Sequence, residues 1–186
     1  MGVIYTNWAE DSHLDKGILE KKINKLKLDV DDEILMKNQN IKDFSEAASL
    51  GLGDYITLIL KMANLPNPIL KFVNLLFFIE SHLMTDEIKQ MYHKLINTLL
   101  EMIRFLEEAI MLLRENPNGV IYNINEIYEL ESSTNTVFQH FLYYLYQDKD
   151  FDVKNLLILR ESIAALEQLV DKIHHIAEIV RILRYE

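Results

Sequence analysis

Two stretches of this sequence set an acidic side chain and a polar partner one helical turn apart: Leu130-Glu131-x-x-x-Asn135 and Leu166-Glu167-x-x-x-Asp171. Residues four apart lie on the same face of a helix, so each stretch presents two oxygen-bearing groups side by side. The second stretch extends into a longer stripe, because Glu167, Asp171, His174 and Glu178 fall at i, i+4, i+7 and i+11. Carboxylates and imidazole are ligands for iron, manganese or zinc, and such ligands on facing helices build metal sites inside bundles. Like charges four apart repel weakly on an isolated helix. A bound cation or a facing Arg or Lys reverses that sign. The plainer reading is a solvated stripe whose charge Lys172 and Arg181 partly offset.

Glu131 poses the sharper question. The seam of its segment runs Val120, Ile124, Ile127, Glu131, Thr134, Phe138, Phe141 and Leu145. A carboxylate therefore occupies a core position, where an unpaired charge is expensive to bury. Either Glu131, Thr134 and Asn135 form a satisfied polar cluster that fixes helix register, or Glu131 is a ligand facing a cation or a partner helix.

The remaining reactive groups carry less. His174 and His175 are adjacent and diverge around the helix, so they do not easily share one ion. His82 and His93 read as surface residues. Phe141 with Tyr143, Tyr144 and Tyr146 reads as an aromatic interface patch or core edge. The E-x-x-H spacing of ferritin-like metalloenzymes occurs at Glu10–His13 near the chain start and not on the core segments, which disfavours a carboxylate-bridged metalloenzyme. The chain has no Cys, which excludes disulfides, thiolate metal sites and cysteine catalysis. There is no phosphate-cradling glycine loop, nucleophile elbow or nucleotide fingerprint. A non-enzymatic role is expected.

The elements that position these residues are helices. Gly (5) and Pro (3) are scarce among 186 residues, and 49% of the chain is hydrophobic, which favours long helices around a sizeable core. Residues 1–13 show no period and read as a poorly ordered lead-in. From Leu14 to about Met36, Leu19, Ile23, Leu26, Val30 and Ile34 recur at helical spacing. Asn38-Gln39-Asn40 reads as an interruption. A second helix then follows, with Asn40 or Asp43 as N-cap and an apolar face of Ile41, Phe44, Ala48, Leu52, Ile56, Ile59 and Ala63. Gly51 and Gly53 near Ala47 and Ala48 suggest the close approach of a neighbouring helix.

Pro66 and Pro68 end that helix, and a short apolar one runs from Pro68 to about His82. Thr85-Asp86 caps the next, whose seam Ile88, Tyr92, Leu95, Leu99, Met102, Leu106, Ala109 and Leu113 steps by four and three in a heptad pattern. Asn116-Pro117-Asn118-Gly119 is a break. A helix from about Val120 to Gln147 follows it. The last helix runs from about Val153 to Arg184, with seam Leu159, Ile163, Leu166, Val170, Ile173, Ala177 and Val180. The fold class is all-α: an antiparallel bundle of five or six long helices, one domain over residues 14–186.

Net charge is −10, and basic residues do not cluster with aromatics, so nucleic acid is not an expected partner. The longest apolar stretch, Ile69 to Ile79, is interrupted by Lys71 and Asn74 and is too short to span a bilayer, so no transmembrane segment is expected. That stretch is a candidate dimer or partner interface. No basic start followed by an apolar run suggests a signal peptide, and a cytoplasmic location is expected.

An internal repeat links the two halves. Ala47-Ala48-x-x-x-Leu52-x-Asp54-x-Ile56 matches Ala164-Ala165-x-x-x-Leu169-x-Asp171-x-Ile173, and Leu26-Lys27-x-x-x-Asp31 lines up with Leu130-Glu131-x-x-x-Asn135. The repeated E-x-x-x-[DN] and LExxxDxIxxxA steps on paired three-helix units resemble the PhoU-like family, more narrowly its smaller branch of phosphate-transport accessory proteins. The likeness is clearest from Thr85 to Tyr185.

The resemblance implies two pseudo-repeated three-helix halves, about residues 14–82 and 85–186, and a role in regulating phosphate uptake beside a transporter or sensor kinase. It further implies homo-oligomers and iron or another divalent or trivalent metal. Carried onto this chain, the ligand set is Glu131, Asn135, Glu167 and Asp171, with Asp31 and Asp54 in the first half; His174 joins it only through its place on the Glu167 stripe. In the first half the glutamate positions read Lys27 and Leu50, and Asn135 stands where the pattern has Asp. A purely structural helical adaptor is the alternative from another class.

Overall fold

The structure is a computed structural model that describes residues 16–46, 52–147 and 151–185. Among these residues it is all-helical, with no strand. The helices are α1 (Lys16–Glu46), α2 (Leu52–Met62), α3 (Pro66–Leu76), α4 (Asp86–Met111), α5 (Pro117–Gln147) and α6 (Val153–Leu183), with a 3-10 turn at Ser81–Leu83 between α3 and α4. None of them is long and apolar enough to cross a membrane. The lead-in expected over residues 1–13 and the small pair Ala47-Ala48 with Gly51 lie outside the described residues.

The heptad seam of α4 is buried as its spacing demands: Ile88, Tyr92, Leu95, Leu99, Met102, Leu106 and Ala109 all lie in the core. Leu113 falls just past the helix and is half-buried. Thr85 caps α4 by accepting the Ile88 N–H at 3.2 Å, which satisfies one of the first-turn donors that a helix leaves unpaired. Asp152 does the same for α6 through the Asn155 N–H at 2.7 Å.

Four boundaries differ from expectation; one is the end of α3, which stops at Leu76 and not near His82, where a separate 3-10 turn at Ser81–Leu83 follows. Helix α1 runs straight through Asn38-Gln39-Asn40 to Glu46. Asn costs a helix well under what Gly or Pro costs, and with neither in the stretch nothing forces an end. The Pro68 start moves to Pro66, because proline is well suited to the first helical turn, where its missing N–H is no loss. The break at Asn116–Gly119 is likewise a beginning. Pro117 opens α5, and the Asn116 side chain accepts the Gly119 N–H at 3.0 Å. Gly119 also fits closely: a Cβ there would stand 2.8 Å from Leu112 Cδ1 and from Asn116 Nδ2.

Helix α6 is the element around which the rest is arranged. It packs against α2, α3, α4 and α5, while α1 lies against α2 and α3. Its expected seam is buried throughout, and a second row is buried beside it: Ser162, Ala165, Leu169, Ile176 and Leu183. A helix touched from several sides needs a stripe wider than one heptad seam. Close approach at Gly53 does not occur, since a Cβ placed there meets nothing within 4 Å. On α2 the buried residue is Leu58, whereas Ile56 and Ile59 are half-buried. In the apolar stretch from Ile69 to Ile79, the residues Phe72, Val73, Leu76 and Ile79 are committed to the chain's own core. Of its apolar residues only Phe78 is left strongly exposed, so little of this stretch is free for an apolar partner contact.

Candidate functional site

The packing of α5 against α6 resolves the conflict at Glu131. Its carboxylate Oε2 is hydrogen-bonded to His174 Nδ1, forty-three residues along the chain. The two side chains keep 23% and 27% of their exposure, so the pair is mostly, not wholly, withdrawn from water. The Tyr128 ring lies along the imidazole with centroids 4.9 Å apart and planes 32° apart. On the far side of the ring, Nε2 faces Glu178 Oε1 at 3.5 Å, one turn along α6. The imidazole thus stands between two carboxylates, with Tyr128 covering its face. The neighbouring Thr134, fully buried, donates its hydroxyl proton to the Glu131 carbonyl at 2.6 Å, satisfying its polarity within its own helix.

This arrangement uses a charge on the seam without stranding it. A buried carboxylate is costly chiefly when it is unpaired. Here the partner comes from the facing helix, and the solvent-side half of each group stays wet. His175, next in sequence, diverges as its position requires. Its Nδ1 approaches the Asp171 carbonyl oxygen at 2.6 Å, and its ring meets that of His174 edge-on at 5.9 Å.

The other expected site residues are not gathered around this pair. Glu167 and Asp171 are exposed on α6, Asn135 is exposed on α5, and Asp31 and Asp54 are exposed on α1 and α2. Among the described residues, no three His, Asp or Glu side chains stand as one metal-ligand group. The geometry at His174 explains this for the nearest candidates. Glu131 and Glu178 meet opposite nitrogens of one ring, and those nitrogens point away from each other. Glu131, His174 and Glu178 therefore form a chain through the imidazole and do not converge on a common point. Neither Lys172 nor Arg181 forms an ion pair with the stripe among the described residues, and of the stripe's carboxylates His174 faces Glu178 alone.

Several buried polar features escaped the sequence reading, Asn155 among them with its side-chain oxygen unpartnered among the described residues. Tyr92 on α4 is hydrogen-bonded through its hydroxyl to Ser162 on α6, and the Ser162 hydroxyl lies 2.7 Å from the Leu159 carbonyl. Tyr92 also packs edge-on to Phe141, centroids 4.9 Å apart, and against Phe72 at 5.8 Å. This cluster ties α3, α4, α5 and α6 together. Its signal was present in a tyrosine on a strict apolar seam, which needs a polar partner for its hydroxyl. Asn123 is buried on α5, and its side-chain oxygen has no hydrogen-bond partner among the described residues. Its place between Val120 and Ile127 put it on the buried face. Of the aromatic patch, Phe141 is core, while Tyr143 and Tyr146 are exposed.

No protein-family model matches the chain, and no curated protein does so.

Proposed function

We propose that this chain is a regulatory or accessory protein of the PhoU-like kind, linked to phosphate transport, which acts by presenting helix faces to a protein partner. The observation that supports this reading is the disposition of the two motif helices. α5 and α6 pack together with the Glu131–His174 pair at their junction, and Glu167 and Asp171 stand one turn apart in solvent on α6. The connections support the matching architecture. Only residues 112–116 join α4 to α5 and only residues 148–152 join α5 to α6. Such a connection reaches about 20 Å, whereas a helix of 31 residues is about 46 Å long. In this reading α4, α5 and α6 run antiparallel as one three-helix unit, α1 with α2 and α3 forms its pseudo-repeat, and the protein works as a cytoplasmic homo-oligomer.

A metal ion belongs to this reading as a modulator of partner contact, iron or another divalent or trivalent ion. It would draw on Glu167 and Asp171, and adding Glu131, Asn135 or His174 would need these side chains to rearrange, because they are not gathered at one point. Glu131 and His174 now spend their facing atoms on each other, so metal and the pair compete. The adaptor reading without metal is favoured by that same internal satisfaction of Glu131 and Thr134.

Two measurements test the proposal. Deleting the gene in its host is expected to alter phosphate uptake, with restoration by the wild-type chain; unchanged uptake overturns the transport link. Elemental analysis of untagged protein beside Glu167→Gln separates the metal-modulated form from the plain adaptor. Stoichiometric metal lost in the variant supports the first, and a metal-free, fully folded wild type supports the second.

A further inference from the structure

Away from the α5–α6 junction, an open groove of about 410 Å³ lies where α1, α2 and α3 meet α4 and α6. Its floor includes Ile103 of α4 and Leu169 of α6, its sides include Ile59 and Ile69, and Met36 and Met62 stand at its rim. Leu169 is fully buried and Ile103 and Ile69 are half-buried, while the two methionines keep 61% and 38% of their exposure. The volume falls within the range of about 300–1,000 Å³ typical of small-molecule sites. Among the described residues that line the groove, Lys37 alone carries a charge. It is half-buried, and no described residue pairs with its ammonium group. On a chain of net charge −10, a lone cation beside an apolar groove is a local inversion of the protein's field.

From this combination we infer that the groove binds a single-chain anionic amphiphile, a free fatty acid. The alkyl chain lies along Ile59, Ile69, Ile103 and Leu169, and the carboxylate meets Lys37. Each part answers one feature of the groove. The apolar floor removes the chain from water. The flexible thioethers of Met36 and Met62 adapt to chains of different length and shape. Lys37 supplies a charge-assisted contact that a neutral head group cannot use. Lysine also suits this place because its stem runs along apolar surface while its ammonium stays at the edge. The inference stands apart from the phosphate-transport reading and uses none of its residues.

The test is equilibrium binding of a fluorescent fatty acid, dansylundecanoic acid, to the full chain, followed by displacement with octanoate, dodecanoate, hexadecanoate and hexadecanol. Saturable one-to-one binding is expected. Displacing affinity should rise about fourfold per methylene while the chain is still entering the groove. Lys37→Gln should weaken the acids roughly tenfold and leave hexadecanol unchanged, removing the preference for acid over alcohol. Ala63→Phe, which fills the groove from its lining, should abolish binding. Circular dichroism and thermal melting check that both variants keep their helices. Absence of saturable binding, equal affinity for acid and alcohol in the wild type, or an unaltered preference in Lys37→Gln overturns the inference.

Discussion

Replacing Glu131 and His174 one at a time should give unequal losses, and the inequality tests how the polar seam is held. Consider Glu131→Leu. The variant loses one carboxylate–imidazole hydrogen bond, worth about 1.5–3 kcal/mol when a charged group takes part and nearer the lower end for a pair that is still partly wet. It gains an apolar side chain at a site where the native one keeps 23% of its exposure. Full burial of a leucine contributes about 1.5–3 kcal/mol, so roughly three-quarters of that offsets most of the loss. His174 keeps Glu178 on its other nitrogen and 27% of its exposure. The net change should lie within about 1 kcal/mol of zero.

His174→Ala is different. It removes the same hydrogen bond and the ring packed on Tyr128, and it leaves the Glu131 carboxylate on an apolar seam without its partner. A loss of about 2–3 kcal/mol is expected, a fall in Tm of roughly 4–12 °C for a chain of this size. Urea unfolding followed by far-ultraviolet circular dichroism measures both, and the double variant supplies the coupling energy. A loss of about 2 kcal/mol or more in Glu131→Leu, equal to that of His174→Ala, would show that the carboxylate itself is indispensable to the fold. A neutral His174→Ala would show that the pair contributes nothing, and either result refutes the reasoning.

Four further outcomes are expected. Gly53→Ala should stabilise the chain by about 0.5–1 kcal/mol, because the residue is helical and a Cβ there meets nothing within 4 Å; chemical denaturation reads it. Phe72→Ala should cost about 3–5 kcal/mol, since its ring is fully buried against Tyr92, and thermal melting reads the loss. Asp152→Ala should cost about 1 kcal/mol and speed amide exchange at Asn155, the residue whose N–H it caps. Finally, Lys71 holds the Glu161 carboxyl below its ordinary value by a 2.7 Å hydrogen bond and by its charge, with Arg160 a lesser influence and burial opposing them. The stabilisation is present above the ordinary carboxylate value and disappears as pH falls through the lowered one. Both side chains are nearly half exposed, so the effect is at most about 1 kcal/mol. In Lys71→Met, carbon NMR titration of Glu161 should move upward toward the ordinary value.

Much of the fold was legible because its signal is local. The seam from Ile88 to Ala109 and the cap at Thr85 depend on residues within a turn or two, and all are found where spacing puts them. The misread boundaries have the same origin. Asn38-Gln39-Asn40 is a mild penalty that a long helix absorbs, and proline in Asn116–Gly119 marks a start as readily as a stop. For the candidate site, the seam position of Glu131 was legible and its partner was not. Glu167, Asp171, Asn135, Asp31 and Asp54 share helical spacing with their motif mates, yet all five are exposed. Spacing fixes which residues share a face; it does not say whether that face meets another helix.

Periodicity and capping are properties of a few adjacent residues, so the helical class and the inward stripe of each long helix follow from local spacing. Which helices meet follows from packing. The tertiary arrangement buried a second row on α6 by packing several helices around it, and it spent the apolar stretch after Pro68 on the chain's own core. It also gave Glu131 its imidazole from forty-three residues away, turning a carboxylate that looked stranded into one member of a pair. The physical reason is that the cost of a buried charge depends on the group opposite, and the group opposite is chosen by packing, not by neighbours in the chain.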